Sequence, residues 1–280
     1  MLSPQLTANL DQDVHRQHRP CPVCGAIPTH ELCSTYDRGP WNLTTCSVCD
    51  FTYLGNPPTY EMIASTFAWE KTSVAEEARR VASRPVRKNL STALGMLRKK
   101  VLKRDKLLSL TSKMKSGPCL DLGCGNGSVL SRLPYRLIPY GIEISPALAR
   151  AANSIAARRG GFVLTTNGIE GLDYFASRFF SGALLSAFLD HEIYPRRLLL
   201  ELKRTLQPGA IVIIKVTNFE SINRVVLGKE WCGFRYPDHV NYFTPWTLSY
   251  LAARCGYSVL RCNIFDRWPF SDNLWAILQA

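Results

Sequence analysis

Between residues 116 and 280, short apolar runs alternate with segments of helical spacing. Candidate strands centre on Leu120, Ile142 and Val163 and cover residues 183–188, 211–216, 259–264 and 274–278. Most are brief, nearly continuous apolar stretches, as expected of strands buried on both faces. The punctuation between them is helical. Ser145-Pro146 reads as an N-cap followed by proline at the first helical position, opening a helix to about Arg159. Pro195 opens another to Leu206, and Thr244-Pro245 a third that stops at Gly256. Seven strands alternating with helices predict an α/β fold built on a doubly wound, mostly parallel seven-stranded sheet. The last two strands lack an intervening helix and predict an antiparallel hairpin at the edge.

Charge adds a second region. Residues 79–115 carry thirteen Lys or Arg against a single acid, Asp105, an excess equal to the net charge of +12 for all 280 residues. Leu90, Leu94, Leu97, Val101 and Leu108 recur there at helical steps, which predicts an amphipathic helix with a basic outer face. Such a face is either simply solvated or in contact with a polyanion, meaning nucleic acid or an anionic membrane surface. No interleaved aromatics are present for stacking single-stranded bases. No apolar run reaches the eighteen or so residues of a membrane span, and the first twenty residues are polar, so the expectation is a cytoplasmic protein.

Four of the ten cysteines form two C-x2-C pairs, Cys21/Cys24 and Cys46/Cys49, with 21 residues between them. Two such knuckles supply four thiolates, a set suited to a closed structural Zn²⁺ site of the zinc-ribbon type. A redox pair or unliganded buried thiols are the alternatives. Cys33, Cys119, Cys124, Cys232, Cys255 and Cys262 show no pairing and read as small buried side chains.

The most specific chemistry follows the first strand, where C-L-D-L-G-C-G-N-G runs from Cys119 to Gly127. Alternating glycines after a buried strand let the backbone approach a ligand closely and point to a bound nucleoside. The third glycine falls one residue early for a dinucleotide fingerprint, and Ser128 stands where Gly or Ala would pack the helix, which argues against NAD or FAD. Glu143 ends the next apolar segment 22 residues after Asp121, where a carboxylate can accept hydrogen bonds from both ribose hydroxyls.

The pattern D-x-G-x-G-x-G, on Asp121, Gly123, Gly125 and Gly127, resembles motif I of the class I S-adenosylmethionine-dependent methyltransferases. Further matches are Glu143, the turn Leu206-Gln207-Pro208-Gly209-Ala210, similar to the family's L-x-P-G-G, and Leu189-Asp190-His191, similar to its L-E-H. The resemblance covers about residues 60–280. It implies a Rossmann-like methyltransferase sheet, with S-adenosylmethionine held at Asp121, Gly123, Cys124, Gly125, Gly127, Glu143 and Ile144. Relatives often read adenine with an acid after the third strand. Here Gly168 falls at that place, so backbone at Gly168 and Ile169, or the Asn167 amide, is expected instead. An N-terminal zinc ribbon combined with the closing H-x-N-Y-F-T-P, residues 239–245, resembles one branch of the family.

Ligands of such sheets sit at the carboxyl ends of the strands, so the loops after the fourth and fifth strands should face the transferable methyl group. A hydroxyl nucleophile needs a base near neutral pKa. His239 is the preferred candidate, beside Asp238, Asn241 and Tyr242, with His191 as the other and Tyr242 as a further catalytic candidate. Asn218, Arg224, Arg235 and Asn241 are candidate substrate contacts; the arginines can hold a carboxylate or phosphate, or form structural ion pairs.

The expected organisation is a flexible arm over 1–18, a zinc ribbon over 19–58, a basic helical connection over 59–115 and an S-adenosylmethionine-binding methyltransferase domain over 116–280. The expected function is methyl transfer to a small molecule, such as a sugar or an anionic biosynthetic intermediate. The alternatives are an rRNA or tRNA methyltransferase that uses the ribbon and the basic helix, and a non-catalytic cofactor-binding module.

Overall fold

A computed structural model describes residues 19–28, 36–37, 39–65 and 106–280. The expected arm and the basic segment up to residue 105 lie outside the described residues, as does the helix read from Leu90, Leu94, Leu97 and Val101.

In chain order the elements are β1 (Leu43–Thr45), β2 (Thr52–Leu54), α1 (Tyr60–Ser65), α2 (Lys106–Leu110), β3 (Gly117–Leu122), β4 (Leu137–Glu143), α3 (Pro146–Ala157), β5 (Val163–Thr165) and α4 (Gly168–Asp173). They continue with β6 (Phe180–Ser186), α5 (Pro195–Thr205), β7 (Leu206–Thr217), α6 (Ile222–Leu227), β8 (Asn241–Tyr242), α7 (Pro245–Arg254), β9 (Ser258–Arg261) and β10 (Asn273–Gln279). The large sheet has the order β5-β4-β3-β6-β7-β10-β9. Its first five strands are parallel, and β10 runs antiparallel to both β7 and β9.

The expected seven strands are all present, with three local corrections. Strand β7 begins at Leu206, so residues 206–210, read as a turn before it, open the strand itself. Strand β6 begins and ends earlier than residues 183–188, because Ala187 turns to a positive φ of 55° and breaks the extended run. Strand β9 stops at Arg261 rather than 264, where Asp266 caps the exit by accepting from Arg261 Nε and Asn263 N. Within the closing pair, the later strand takes the inner place. Leu274, Ala276, Ile277 and Leu278 of β10 are buried, whereas Ser258, Val259 and Leu260 of β9 are exposed, so burial of the more apolar strand decides the order.

Both predicted proline-opened N-caps hold. Ser145 accepts from Leu148 N at 3.5 Å, and Thr244 forms a reciprocal capping box with Thr247. The fully buried residues of helix α3 are all alanines, Ala149, Ala152 and Ala156, with Ile155 partly buried beside them, so its axis lies close against the sheet and the glycine loop. Helix α5 buries Leu198, Leu199 and Leu202.

The second sheet, β1-β2-β8, is antiparallel and joins distant parts of the chain. Thr52 pairs with Tyr242 and Tyr53 with Asn241, so the cysteine-bearing N-terminal segment shares a sheet with the loop region after β7.

Candidate active site

Glu143 organises the turn between β3 and α3. Its carboxylate accepts from Gly125 N at 2.8 Å through one oxygen and from Ser145 N at 3.0 Å through the other. Each oxygen retains acceptor capacity for a further donor. Gly125 has φ +55°, and a Cβ there would meet nothing within 4 Å, leaving open space beside the backbone. Gly127 serves packing: its Cβ would stand 2.9 Å from Ala152 Cα, so glycine lets α3 approach. Asp121 is buried behind the loop. Burial, with the nearby charge of Glu143 as the second cause, raises its pKa to about 8.

A cavity of about 530 Å³ opens in front of this loop. Gly123, Cys124, Gly125, Glu143, Ile144 and Gly168 line one side, as expected from the sequence. The lining also includes Tyr60, His191, Glu192, Pro237, Asp238 and Phe188, whose ring packs against Gly123 and Gly168. The Tyr60 hydroxyl donates to Glu192 Oε1, which also accepts from Tyr194 N at 2.8 Å. Burial raises the Glu192 carboxyl above the ordinary range, partly offset by these donors and by Arg19. Among the described lining residues, the charged side chains are Glu143, Glu192 and Asp238, and no Lys or Arg is present.

The loop that carries His191 and Glu192 is clamped from the N-terminal side. Arg19 donates to Leu54 O at 2.9 Å, to Val240 O at 2.9 Å, to Asn241 Oδ1 at 3.3 Å and to Ile193 O. Its guanidinium also stands over the Tyr53 ring, and burial lowers its pKa to about 10. Asn241 Nδ2 donates to Leu189 O at 2.8 Å and Glu192 O at 2.6 Å.

The two histidines expected as bases are brought together, with ring centroids 4.8 Å apart and edge-to-face, but only His191 lines the cavity. His239 is 6% exposed, stands behind His191 and has Nδ1 2.7 Å from Gly233 O, which corrects the preference for it. Tyr242 is buried in an aromatic cluster, its hydroxyl donating to His239 O at 3.1 Å. The expected substrate contacts lie outside the cavity lining as well. Asn218 donates to Ser271 O and accepts from Glu220 N, Arg224 lies over the Phe219 ring and donates to Phe219 O, and Arg235 pairs with Asp238 at 3.0 Å. Asn241 is the loop clamp described above. Of the expected cofactor residues, Asp121, Gly127 and Ile169 support the lining without joining it, and the Ile169 side chain is in the core. Wall residues missed in the sequence include Tyr60, Phe188, Glu192, Pro237 and Asp238. Two of them carried a signal, since Glu192 adjoins His191 and Asp238 adjoins His239.

The four paired cysteines converge. Cys21 and Cys49 have their Sγ atoms 3.6 Å apart, Cys24 and Cys46 3.5 Å, and all four lie within 4.8 Å of one another. Gly25 and Asp50 both adopt positive φ, 82° and 56°, and donate back to Cys21 O and Cys46 O. The two knuckles therefore fold alike despite the Asp.

A nucleoside-sized cavity at the carboxyl ends of parallel strands, floored by a glycine loop and a strand-terminal carboxylate, defines a class of doubly wound ligand-binding enzymes. The methyltransferase-domain family model matches residues 95–261, more than half of the chain, and the chain belongs to that family of methyltransferases. No curated protein matches it. Among solved structures, an S-adenosylmethionine-dependent methyltransferase from Archaeoglobus fulgidus is similar at 16% identity, over 67% of this chain and 99% of the other, with a TM-score of 0.49. One from Mesorhizobium loti is 15% identical over 60% and 93%, with a TM-score of 0.48. One from Aquifex aeolicus is 18% identical over 61% and 87%, with a TM-score of 0.46. No described helix is long and apolar enough to cross a membrane.

Proposed function

We propose that the chain transfers a methyl group from S-adenosylmethionine to a hydroxyl of a neutral, polar small molecule such as a sugar. The observation that carries this reading is the single cavity that joins the glycine loop and Glu143 to His191, Glu192, Asp238 and Tyr60. Glu143 would accept from the ribose hydroxyls, the open backbone at Gly125 would lie against the methionine end, and backbone at Gly168 would meet the adenine edge. When bound, S-adenosylmethionine supplies an electrophilic methyl group. His191 would take the acceptor's hydroxyl proton as the new bond to carbon forms, and Phe188 and Pro237 would exclude water. No Lys or Arg in the described lining is available to hold an anionic reacting group. The expected anionic intermediate and an RNA phosphate backbone therefore fit the centre less well than a sugar. A histidine facing the cavity favours catalysis over a passive binding module.

Zn²⁺ is the proposed occupant of the cysteine cluster. Tetrahedral Zn–S bonds of about 2.3 Å imply sulfur–sulfur edges of about 3.8 Å, close to the spacings present. The site would be structural, and the reduced thiols it requires suit the cytoplasm.

Calorimetry should show one S-adenosylmethionine per chain, with binding weakened by Glu143→Ala. Mass spectrometry of cell extracts supplied with methyl-labelled donor should find the label in a neutral hydroxylated product, and His191→Ala should abolish incorporation at unchanged donor affinity. Label appearing only in RNA or in anionic metabolites would refute the acceptor reading, and absence of donor binding would refute the whole.

A further inference from the structure

Of the three carboxylates in the described lining of the cavity, Glu143 belongs to the glycine loop and Asp238 pairs with Arg235 at 3.0 Å, which leaves Glu192. This residue is 2% exposed. The Tyr60 hydroxyl and Tyr194 N both donate to its Oε1, so Oε2 keeps acceptor capacity where the residue lines the cavity. A buried charged oxygen short of donors is costly, and in a ligand cavity it marks the place of a ligand donor. The group is also held at both ends. Asn241 Nδ2 donates to Glu192 O at 2.6 Å and fixes the backbone, while Tyr60, 132 positions away, fixes the side chain. Burial, with the charge of Glu192 as the second cause, raises the Tyr60 phenol above its ordinary pKa, so it stays protonated and donates. A side chain locked in this way loses little further freedom when a ligand binds.

His191 and Glu192 are consecutive, and both line the cavity. Consecutive α-carbons stand about 3.8 Å apart. Two side chains that enter one cavity from such neighbouring positions suit two hydroxyls on neighbouring carbons. A single hydroxyl that gives its proton to His191 leaves Glu192 Oε2 unfilled; a second hydroxyl fills it. A ketone or ether oxygen in that place would face the lone pairs of the carboxylate and be rejected.

We infer that Glu192 selects the acceptor: its Oε2 accepts from a hydroxyl on the carbon next to the one whose oxygen is methylated, so the substrate is a neutral diol on adjacent carbons, and Tyr60 is the positioning residue that turns that oxygen to the cavity. This rests on the methyl-transfer reading above. The first hydroxyl gives its proton to His191 as its oxygen takes the methyl group and the carbon–sulfur bond of the donor breaks; the second keeps its proton in the bond to Glu192. The test uses the small-molecule fraction of a cell extract with methyl-labelled S-adenosylmethionine. Periodate cleaves diols on adjacent carbons, so extract oxidised with periodate and quenched with ethylene glycol before the protein is added should yield no labelled product. Glu192→Gln isolates Oε2, because the amide carbonyl still accepts from Tyr60 and Tyr194 N while an NH2 group replaces the second oxygen. The extract concentration giving half-maximal labelling should rise tenfold or more, with donor affinity in calorimetry and the melting temperature close to those of the parent. Tyr60→Phe should raise it less. Label that survives periodate, or equal labelling by Glu192→Gln, overturns this inference alone. No labelled product from the parent chain in untreated extract overturns the methyl-transfer reading and this inference with it.

Discussion

Replacing Arg19 with alanine removes the donor that holds three backbone carbonyls, Leu54 O, Ile193 O and Val240 O, together with Asn241 Oδ1. Leu54, Ile193 and Val240 are all buried; Val240 O keeps Leu54 N as a donor at 2.9 Å, whereas a buried acceptor that loses its donor costs about 1–3 kcal/mol. Arg19 itself is half-buried, so water enters part of the vacated space and the acceptors are not lost independently. A total of about 2–4 kcal/mol follows. At about 2–4 °C per kcal/mol for a chain of this size, thermal unfolding should shift down by roughly 5–15 °C. Arg19→Lys keeps the charge with a single ammonium in place of the fork and should recover only part of the loss. Calorimetric titration with S-adenosylmethionine should show near-unchanged affinity in both variants, because the clamp grips residues 189–193 and β8 rather than the glycine loop. A shift below about 2 °C for Arg19→Ala would refute the assignment of these four bonds as the clamp. Full rescue by lysine would show that charge alone, and not the fork, is what matters.

Gly125→Ala should cost about 1–2 kcal/mol of stability from its positive φ while strongly weakening donor binding. Gly127→Ala should destabilise more, since its Cβ also meets Ala152 Cα at 2.9 Å; equal melting temperatures for the two would contradict the division of labour. Treatment with a strong chelator should release one zinc per chain, read by a colorimetric indicator, and hydrogen exchange should rise in β2 and in its partner β8. Protection in β8 that ignores metal loss would rule out this coupling. Asp121 has a folded pKa of about 8 against an unfolded value near 3.9, so the folded chain binds the extra proton between those limits. Its contribution therefore falls as pH rises from about 4 to about 8, and Asp121→Asn should lose that slope in denaturant titrations across the window.

The donor side of the site is readable from the chain because its rules are local. Glycines at alternate positions after a strand, a carboxylate ending the next strand, and Ser or Thr before proline at helix starts each act within a few residues. The cysteine pairs belong with them, since each knuckle closes on itself. The acceptor side follows no such rule. Tyr60 meets Glu192 across 132 positions, and Arg19 meets Val240 across 221, contacts that depend on β2 pairing with β8. His191 and His239 have similar neighbours in sequence, and only the path of the 218–245 loop turns one imidazole to the cavity and the other to Gly233 O. Asn218, Arg224, Arg235 and Asn241 are polar residues whose groups bond to backbone or to other structural side chains, Arg235 to Asp238 and Asn241 to Arg19. Composition cannot separate that use from ligand binding.

By itself, then, the sequence determined the sheet, the glycine loop and the pairing of the four cysteines, because short-range sterics, caps and spacing set them. Tertiary structure decided the acceptor wall, the inner place of β10 and the Arg19 clamp. Those depend on which distant surfaces bury the most apolar area and leave the fewest buried polar groups unpaired, a comparison that exists only once the whole chain is packed.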